Sequence, residues 1–599
     1  MSISRHASVP SETTIGAVTT PEENLAAESP FQVLDRSVHV AMSLFTAGLS
    51  PAALTQAFFD WYVHLAVSPG KRLELAWQVV DGAVNTYTYG LRSAFGLHDD
   101  PCPRGLPHDE RFRAPNWQSF PFNVYAHGFL SIERWWEAAT TSLRGVSQRH
   151  DEMANFAARQ ILDTVAPSNF ILTNPEVLER TCAEGGANLL RGYADWIADR
   201  ASLRIGAPPR GLEAFKVGET VAVTPGKIVH RTRLAEIIQY APATDRVRPE
   251  PVVIVSAWIM KYYILDLSPE NSLVRFLTQH GFTVFVVSWK NPGLEDRDVG
   301  FDDYRTEGLL PAINAATAIT KAPKMHAVGY CLGGTLLAIT AAAMARDGDD
   351  RLASLTFFAA QVDFTDAGEL MLFVDESQVT FLEDTMWGRG YLDSGKMAGA
   401  FQMLRSNDLI WSRSVHDYLM GEPSTATDIM AWNADPTRMP YRMHSQYLRS
   451  LFLNNDLAEG RFEVEDRPVV LPDIRAPTFV VSTERDHVAP WRSVFKVHLF
   501  SGAEVTFVLT NGGHNAGILS EPRHPHRHFR MGTRKAGASY VDPDAWCAEH
   551  APKDGSWWPA WSAWLAAKSG AMVEPPLLGD GAVGFPALED APGRYVFMK

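Results

Sequence analysis

The fold is decided by one short stretch of the chain, Met325-His326-Ala327-Val328-Gly329-Tyr330-Cys331-Leu332-Gly333-Gly334. Its first four residues predict a short buried strand, and the small apolar residues at 334–343 predict a helix. Between them lies Gly-x-Cys-x-Gly, which has the spacing of a nucleophile elbow with cysteine in place of serine. Such a turn lifts one side chain to where a reacting carbonyl can reach it. We therefore predict that Cys331 is the nucleophile, and the alternative is a buried structural cysteine in a glycine-rich turn.

Two later stretches supply an acid and a histidine, in the order that the α/β-hydrolase fold requires. An apolar, β-branched run at 477–482 predicts a strand, and Asp486 follows its carboxyl end. A second apolar run at 505–509 leads through two glycines to His514. The spacing from Asp486 to His514 suits one strand-helix-strand step, whereas the spacing from Cys331 to Asp486 is far longer. The sequence therefore predicts an α/β fold with an insertion between nucleophile and acid.

Each of these side chains has an expected role. A thiol needs a neighbouring base to become a thiolate near neutral pH. We expect His514 to take that proton and Asp486 to orient the imidazole. Glu484 is a rival for the acid. His487 fits a substrate-binding histidine of the pocket better than the base, because it shares a loop with the acid that must orient the base.

Backbone donors are also needed, since the reaction places negative charge on the carbonyl oxygen. One donor in this fold is the N–H of the residue after the nucleophile, which is Leu332. The second is expected in the turn after the predicted strand at 252–256, where we predict Trp258.

Cysteine as the nucleophile favours one class of reaction. A cysteine acyl-enzyme is a thioester, which has about the same energy as a coenzyme A thioester and stays activated for a second transfer. The pattern therefore favours an acyltransferase. A cysteine-dependent thioesterase or hydrolase on the same fold is the alternative, and a third, non-catalytic interpretation is a structural protein that kept the fold.

Several further strings resemble one family, the polyhydroxyalkanoate synthases. The strings are residues 260–274, 287–292, 329–334, Asp486-His487 with Pro490-Trp491, 117–123, 167–170 with 173–175, 404–411 and 432–435. The resemblance extends from about residue 35 to the carboxyl terminus.

The resemblance implies a single-subunit synthase that loads 3-hydroxyacyl groups from coenzyme A onto Cys331 and joins them into a polyester. It also implies a homodimer, short-chain substrates and association with polyester granules in the cytoplasm. We expect His487 and Arg405 to bind substrate, with Lys261 and Lys290 as further candidates for the coenzyme A phosphates. The chain departs from the family at Met260, where asparagine is common, and at Asn515, where short-chain synthases often carry an apolar residue.

Pattern and composition divide the chain into five predicted parts. We expect a disordered tail at 1–34, a mainly helical N-terminal domain at 35–215, a first part of the α/β core at 216–365, a cap at 366–469 and a second part of the core at 470–599. The cap is expected to cover the active site and to move, so that water is kept from the acyl-enzyme.

Charge and cysteine content exclude several classes. The net charge is −15, with 54 basic and 69 acidic side chains, which argues against a nucleic-acid partner. No apolar run is long enough to predict a transmembrane segment. The four cysteines, Cys102, Cys182, Cys331 and Cys547, have neither zinc spacing nor paired motifs, so we expect reduced thiols. We expect no cofactor and no metal.

Two clusters near the carboxyl terminus have no role in this scheme. The run His524-Pro525-His526-Arg527-His528 suggests a metal site, but its prolines prevent helical register and no acidic or cysteine ligand is adjacent. Trp557, Trp561 and Trp564 have helical spacing, with Trp558 beside them, which is typical of core packing. The alternative is a stripe that faces polymer or a granule-surface partner.

Overall fold

The computed structural model describes residues 29–46, 48–97, 109, 111–204, 209–393, 395 and 406–599. Most of the predicted disordered tail, together with Cys102 and Arg405, lies outside these residues.

The first part of the described chain is helical, as predicted. Four of its helices begin with proline after a serine or an asparagine, and proline is favoured at the first helical position because its missing N–H has no partner there anyway. The Ser50 hydroxyl accepts from Ala53 N at 3.3 Å and so caps the second helix. The helices are α1 Pro30–Phe45, α2 Pro51–Ala66, α3 Pro69–Ala94, α4 Phe122–Thr140, α5 Gln148–Val165, α6 Pro175–Ala183 and α7 Ala187–Arg204.

The core is an eleven-stranded mixed sheet. Its strands are β1 Gly226–Arg231, β2 Ala235–Tyr240, β3 Val252–Val255, β4 Val284–Trp289, β5 Met325–Tyr330, β6 Leu352–Phe358, β11 Thr478–Thr483, β12 Val505–Thr510, β13 His528–Arg534, β14 Lys553–Asp554 and β15 Glu589–Asp590. They lie in the order β14-β13-β12-β11-β6-β5-β3-β4-β2-β1-β15. The six from β12 to β4 in this order are parallel, and the outer strands on both edges are antiparallel. The strand that precedes Cys331 therefore lies near the centre of the sheet.

Both faces of the sheet are covered, which explains the unbroken apolar runs of the parallel strands. In β3, Val253 and Val255 pack into one apolar cluster, and Val252 and Ile254 pack into the other. The helices that cover the sheet are α8 Leu273–Gln279, α9 Phe301–Tyr304, α10 Leu310–Thr320, α11 Leu332–Arg346, α16 Trp491–Phe495, α17 Val497–Phe500, α18 Pro543–Glu549 and α19 Trp558–Ala567.

An insertion of short elements lies between β6 and β11. Its helices and strands are α12 Glu376–Trp387, β7 Tyr391–Leu392, α13 Ser412–Ser414, α14 Asp428–Asn433, β8 Met439–Pro440, α15 Tyr441–Gln446, β9 Glu463–Val464 and β10 Arg467–Pro468. Three π-helical stretches, Asn407–Trp411, Val415–Leu419 and Tyr447–Leu453, also belong to it.

The N-terminal helices contact this insertion at α12. Arg36 of α1 pairs with Asp384 at 3.2 Å, and its guanidinium lies 3.9 Å from the centre of the Trp387 ring. Ahead of α2, the N–H of Ser50 donates to the side-chain oxygen of Gln378 at 2.7 Å. The N-terminal helices and the insertion are therefore joined by polar contacts on both sides of α12. Across the described ranges, no helix has the length and apolar character needed to cross a membrane.

The elbow requires a close approach between backbones, which gives a test of the fold. A Cβ built on Gly333 would lie 2.4 Å from the carbonyl oxygen of Val255. We expect Gly333→Ala to lower the free energy of unfolding by about 1–3 kcal/mol, the usual cost of overpacking, and to lower the melting temperature. Gly388→Ala is the matched control, since its Cβ would meet nothing within 4 Å and its φ is −75°. Equal melting temperatures for the two variants would contradict this close approach.

Candidate active site

Cys331 occupies a strained turn between β5 and α11. Its φ is 53° and its ψ is −126°, a conformation that L-residues with a Cβ adopt rarely. Holding a residue there costs about 1–3 kcal/mol, so the surrounding structure must enforce it. The Cys331 N–H donates to Phe358 O at 2.9 Å, and Gly334 N donates to Cys331 O at 2.8 Å. The cysteine is half-buried, which leaves its sulfur accessible at the start of a helix.

The predicted acid and histidine are brought together by two neighbouring strands. Asp486 follows β11, His514 follows β12, and the two strands pair in parallel. His514 Nδ1 lies 2.8 Å from Asp486 Oδ2, and Cys331 lies close enough to His514 for the charge of the sulfur to raise its pKa. Because Nδ1 faces a carboxylate, it carries a proton.

The carboxylate of Asp486 is held in place by further donors. Oδ1 accepts from Val488 N at 2.9 Å and from Ala489 N at 2.8 Å, and Oδ2 also accepts from the Thr483 hydroxyl at 3.3 Å. These bonds fix the orientation of the carboxylate toward His514.

Charge also sets the protonation of His514. Burial lowers the pKa of this imidazole, but the charges of Asp486 and of the Cys331 sulfur raise it by more, so that its pKa lies well above its usual value. The arrangement therefore favours an imidazolium beside the sulfur.

The two residues predicted to bind the oxyanion lie on adjoining segments. Leu332 is the first residue of α11, so its N–H has no acceptor within the helix. The segment after β3 packs against the elbow, because a Cβ on Gly333 would fall 2.4 Å from Val255 O and 2.7 Å from Ser256 C. Trp258 lies two residues further along this segment.

Trp258 is anchored on both sides. Its fully buried ring stacks on Tyr304 at 4.2 Å between ring centres, and its carbonyl oxygen accepts from the Thr437 hydroxyl. Thr437 N also donates to Ile259 O at 3.0 Å, so the insertion is bonded to the segment that follows β3.

Tyr447 lies near Cys331, although no pattern in the sequence singled it out. It begins the π-helical stretch of the insertion, and burial followed by the charge of Cys331 raises its pKa. Its ring packs at 5.2 Å from Phe452 and at 6.3 Å from Phe364. π-helical turns are frequent at functional sites, but no composition signal marks them in advance.

Asn515, one of the two departures from the family, contacts the residue before the nucleophile. The Tyr330 hydroxyl donates to the side-chain oxygen of Asn515, and the Tyr330 ring lies 5.7 Å from the His514 ring. The polar side chain at this position therefore ties the elbow to the loop that carries His514. The other departure, Met260, packs against the apolar cluster on the α8 side of the sheet.

The remaining predicted residues have mixed outcomes. His487 is half-buried next to Asp486, whereas the rival acid Glu484 is exposed and lies 3.6 Å from His528. Arg405 lies outside the described residues. Lys290 pairs with Asp296 at 2.7 Å and with Glu295 at 3.0 Å, so it is an ion-pair residue.

The suggestion that Lys261 contacts coenzyme A phosphates is wrong. Only 2% of Lys261 is exposed, and its Nζ donates to Met598 O at 2.7 Å and to Tyr595 O at 3.3 Å. Burial lowers its pKa to about 8. The carboxyl-terminal segment covers this ammonium group and removes it from any substrate.

Exchanging the acid tests the geometry of the site. We expect Asp486→Asn to lower kcat by about 10²–10⁴-fold, because the amide no longer fixes the imidazole tautomer. The alkaline limb of kcat/KM against pH should also move to lower pH, since the imidazolium is the favoured form and the charge that raises the His514 pKa is lost. Glu484→Gln is the control and should change the rate of coenzyme A release less than about threefold, as an exposed ion pair contributes little. The opposite ranking would assign the acid to Glu484.

Comparison with known proteins identifies the family. Residues 29–71 match the model "Poly-beta-hydroxybutyrate polymerase N terminal", residues 108–277 match "Poly-beta-hydroxybutyrate polymerase (PhaC) N-terminus", and residues 250–520 match "alpha/beta hydrolase fold". Among solved structures, a monoacylglycerol lipase of Paleococcus ferrophilus aligns with 56% of this chain and 99% of its own, at 12% identity and a TM-score of 0.30.

Curated relatives cover most of the chain. A poly(3-hydroxyalkanoate) polymerase of Methylorubrum extorquens is 40% identical over 89% of this chain and 87% of its own length. The poly(3-hydroxyalkanoate) polymerase subunit PhaC of Cupriavidus necator is 35% identical over 83% and 84%, and polymerase 2 of Ectopseudomonas oleovorans is 34% identical over 82% and 87%. This chain belongs to the poly(3-hydroxyalkanoate) polymerase family, on an α/β-hydrolase fold.

Proposed function

We propose that this protein transfers 3-hydroxyacyl groups from coenzyme A through a thioester on Cys331 to a growing polyester. The observation that carries the proposal is the Cys331-His514-Asp486 arrangement at a cysteine elbow, in a chain of this family. Cysteine rather than serine at the elbow keeps the acyl group activated for a second transfer.

Acylation begins with the thiol proton of Cys331 on His514. The thiolate attacks the thioester carbonyl, and the oxyanion is bound by the N–H of Leu332 and a donor of the segment at Trp258. When the tetrahedral intermediate collapses, the carbon–sulfur bond to coenzyme A breaks and the imidazolium returns its proton to the leaving thiolate. The products of this step are the Cys331 thioester and free coenzyme A.

Chain growth uses the same imidazole a second time. His514, now neutral, takes the proton of the 3-hydroxyl of a second unit, whose oxygen attacks the thioester carbonyl. An ester bond forms, the bond to the Cys331 sulfur breaks, and the proton returns to the sulfur. We propose that His487 contacts the substrate, because it borders Asp486 in the same loop, and that Arg405 does so as well.

We propose that residues 366–469 form a cap over this site. Supporting this, Tyr447 of the insertion lies close enough to Cys331 for the sulfur charge to affect its pKa. An apolar cover slows hydrolysis of the acyl-enzyme, which a transferase needs. The flanking parts, an N-terminal helical domain at 35–215 and core segments at 216–365 and 470–599, complete the proposed division.

We propose a homodimer that associates with the surface of polyester granules. An apolar partner is supported by several large apolar side chains of α1 to α3 that are exposed. They include Phe45 at 91%, Trp77 at 70% and Phe59 at 65%. Exposed apolar side chains mark interaction sites in soluble proteins where they form a contiguous patch.

A product assay tests the reaction. Given 3-hydroxybutyryl-coenzyme A, the protein should release free coenzyme A and form insoluble polyester, and Cys331→Ala should do neither. The control variant Cys547→Ala, which changes a half-buried cysteine of the outer α18, should keep the activity. Free coenzyme A with only monomeric hydroxy acid would instead establish a thioesterase, and no release of coenzyme A would leave a non-catalytic protein.

Hydrogen exchange tests the cap. We expect amides of α12 and α15 to exchange faster than those of β11 in the free protein, and to slow when substrate acylates Cys331, because closure buries them. The amide of Thr437, bonded to Ile259 O, is an internal reference that should stay slow in both states. Exchange in α12 and α15 as slow as in β11 with and without substrate would rule out a moving cap.

A further inference from the structure

The loop that carries His514 has little regular structure of its own. It joins β12 to the segment before β13, and its internal backbone bonds are turns such as Gly517 N to Gly513 O at 2.9 Å and Leu519 N to Asn515 O at 3.0 Å. Gly512 at its start has a φ of 113°, which favours glycine. Yet the imidazole must keep its hydrogen bond to Asp486 and its place beside Cys331, so the loop needs support from outside.

Arg527 supplies part of this support. Its guanidinium donates to Ala516 O at 2.5 Å, to Leu519 O at 3.1 Å and to Asn511 O at 3.4 Å, at the two ends of the loop. Within the described part of the chain, Arg527 has no carboxylate within ion-pair distance. The arginine of the histidine-rich run therefore donates hydrogen bonds to backbone carbonyls of the loop that carries His514.

Two tryptophans donate hydrogen bonds to the carbonyls that lie between those of Ala516 and Leu519. Trp557 Nε1 donates to Gly517 O at 3.1 Å, and Trp558 Nε1 donates to Ile518 O at 3.0 Å. Both rings are buried, at 0% and 1% exposed, and Trp561 is buried as well, so these three tryptophans pack in the core as predicted, whereas Trp564 is half-buried. The N–H groups of Trp557 and Trp558 point at the loop that carries His514.

We propose that Arg527, Trp557 and Trp558 are positioning residues for His514. Together they donate to the carbonyls of four consecutive residues, 516–519. A buried carbonyl without a hydrogen-bond donor is unfavourable. These bonds therefore hold the backbone of residues 516–519 in one conformation. The loop in turn places the imidazole, where a displacement of about 1 Å can cost about 100-fold in rate. This inference rests on the proposed role of His514 as the base.

Phenylalanine replacements separate positioning from packing. Trp557→Phe and Trp558→Phe keep an aromatic ring and remove only the N–H donor and part of the ring volume. The matched control is Trp561→Phe, since Trp561 is 0% exposed in the same helix but donates to the Thr356 hydroxyl of β6 at 3.0 Å. Release of free coenzyme A is the readout, because acyl transfer and hydrolysis both produce it.

We expect Trp557→Phe and Trp558→Phe each to lower kcat about 10-fold, and the double variant about 100-fold, with KM unchanged within about twofold. Trp561→Phe should lose a similar amount of melting temperature and keep its kcat within about twofold. The proposal is overturned if all three variants lose kcat equally, or if the double variant keeps the wild-type kcat. Wild-type protein that releases no coenzyme A would count against the proposed function instead.

The arginine gives an independent test. Arg527→Ala should lower kcat about 10-fold or more, and added guanidinium at a non-denaturing concentration should restore part of it, because the small cation can occupy the vacated place between the carbonyls. Arg523→Ala, which alters an exposed arginine immediately before the same run, should neither lose activity nor respond to guanidinium. An Arg527→Ala protein that folds with wild-type kcat would overturn the role of Arg527. If that variant fails to fold, the phenylalanine replacements of Trp557 and Trp558 still test the proposal.

Discussion

The structure depends on one constraint, the strained backbone of Cys331 at the end of β5. A cysteine keeps a φ of 53° only where the surrounding structure prevents other backbone conformations. Here the elbow packs closely against the ends of both β3 and β6. A Cβ on Gly333 would collide with Val255 O, and one on Gly334 would lie 2.3 Å from the Ala360 Cβ. The glycines therefore act by permitting contact between backbones, and that contact sets the position of the sulfur, of the Leu332 N–H and of the segment at Trp258.

Charge distribution in the site follows from the parallel sheet. Parallel strands end at one edge, so the loops after β5, β11 and β12 meet there and bring together a thiol, a carboxylate and an imidazole. Asp486 is satisfied by backbone and hydroxyl donors and remains able to hold His514. The resulting preference for an imidazolium beside sulfur suits a reaction in which a thiolate attacks and a thiolate leaves, because one proton serves both steps.

The N-terminal helices reach this site through the insertion. α1 and the segment ahead of α2 bond to α12, and α12 in turn bonds to the region of Tyr447, because Glu383 accepts from Arg449 at 3.0 Å and from the Ser445 hydroxyl. A chain of contacts therefore extends from the outer helices, with their exposed apolar side chains, to a tyrosine near Cys331. The same insertion is bonded at Thr437 to Trp258 and Ile259 of the segment that follows β3, so a second contact joins it to the α/β core.

The sequence by itself determined the α/β fold and the helical N-terminal region, and it singled out Cys331, Asp486 and His514 as the proposed triad, because these depend on local patterns: apolar runs, turn glycines and the order of residues after strands. Only the tertiary structure decided which distant groups share a space. Lys261 is covered by the carboxyl-terminal segment, which no local pattern predicts, and Tyr447 is brought near Cys331 only by the tertiary fold. Arg527 and the two tryptophans had no apparent role because their partners are backbone carbonyls, and a carbonyl leaves no mark in the amino-acid sequence.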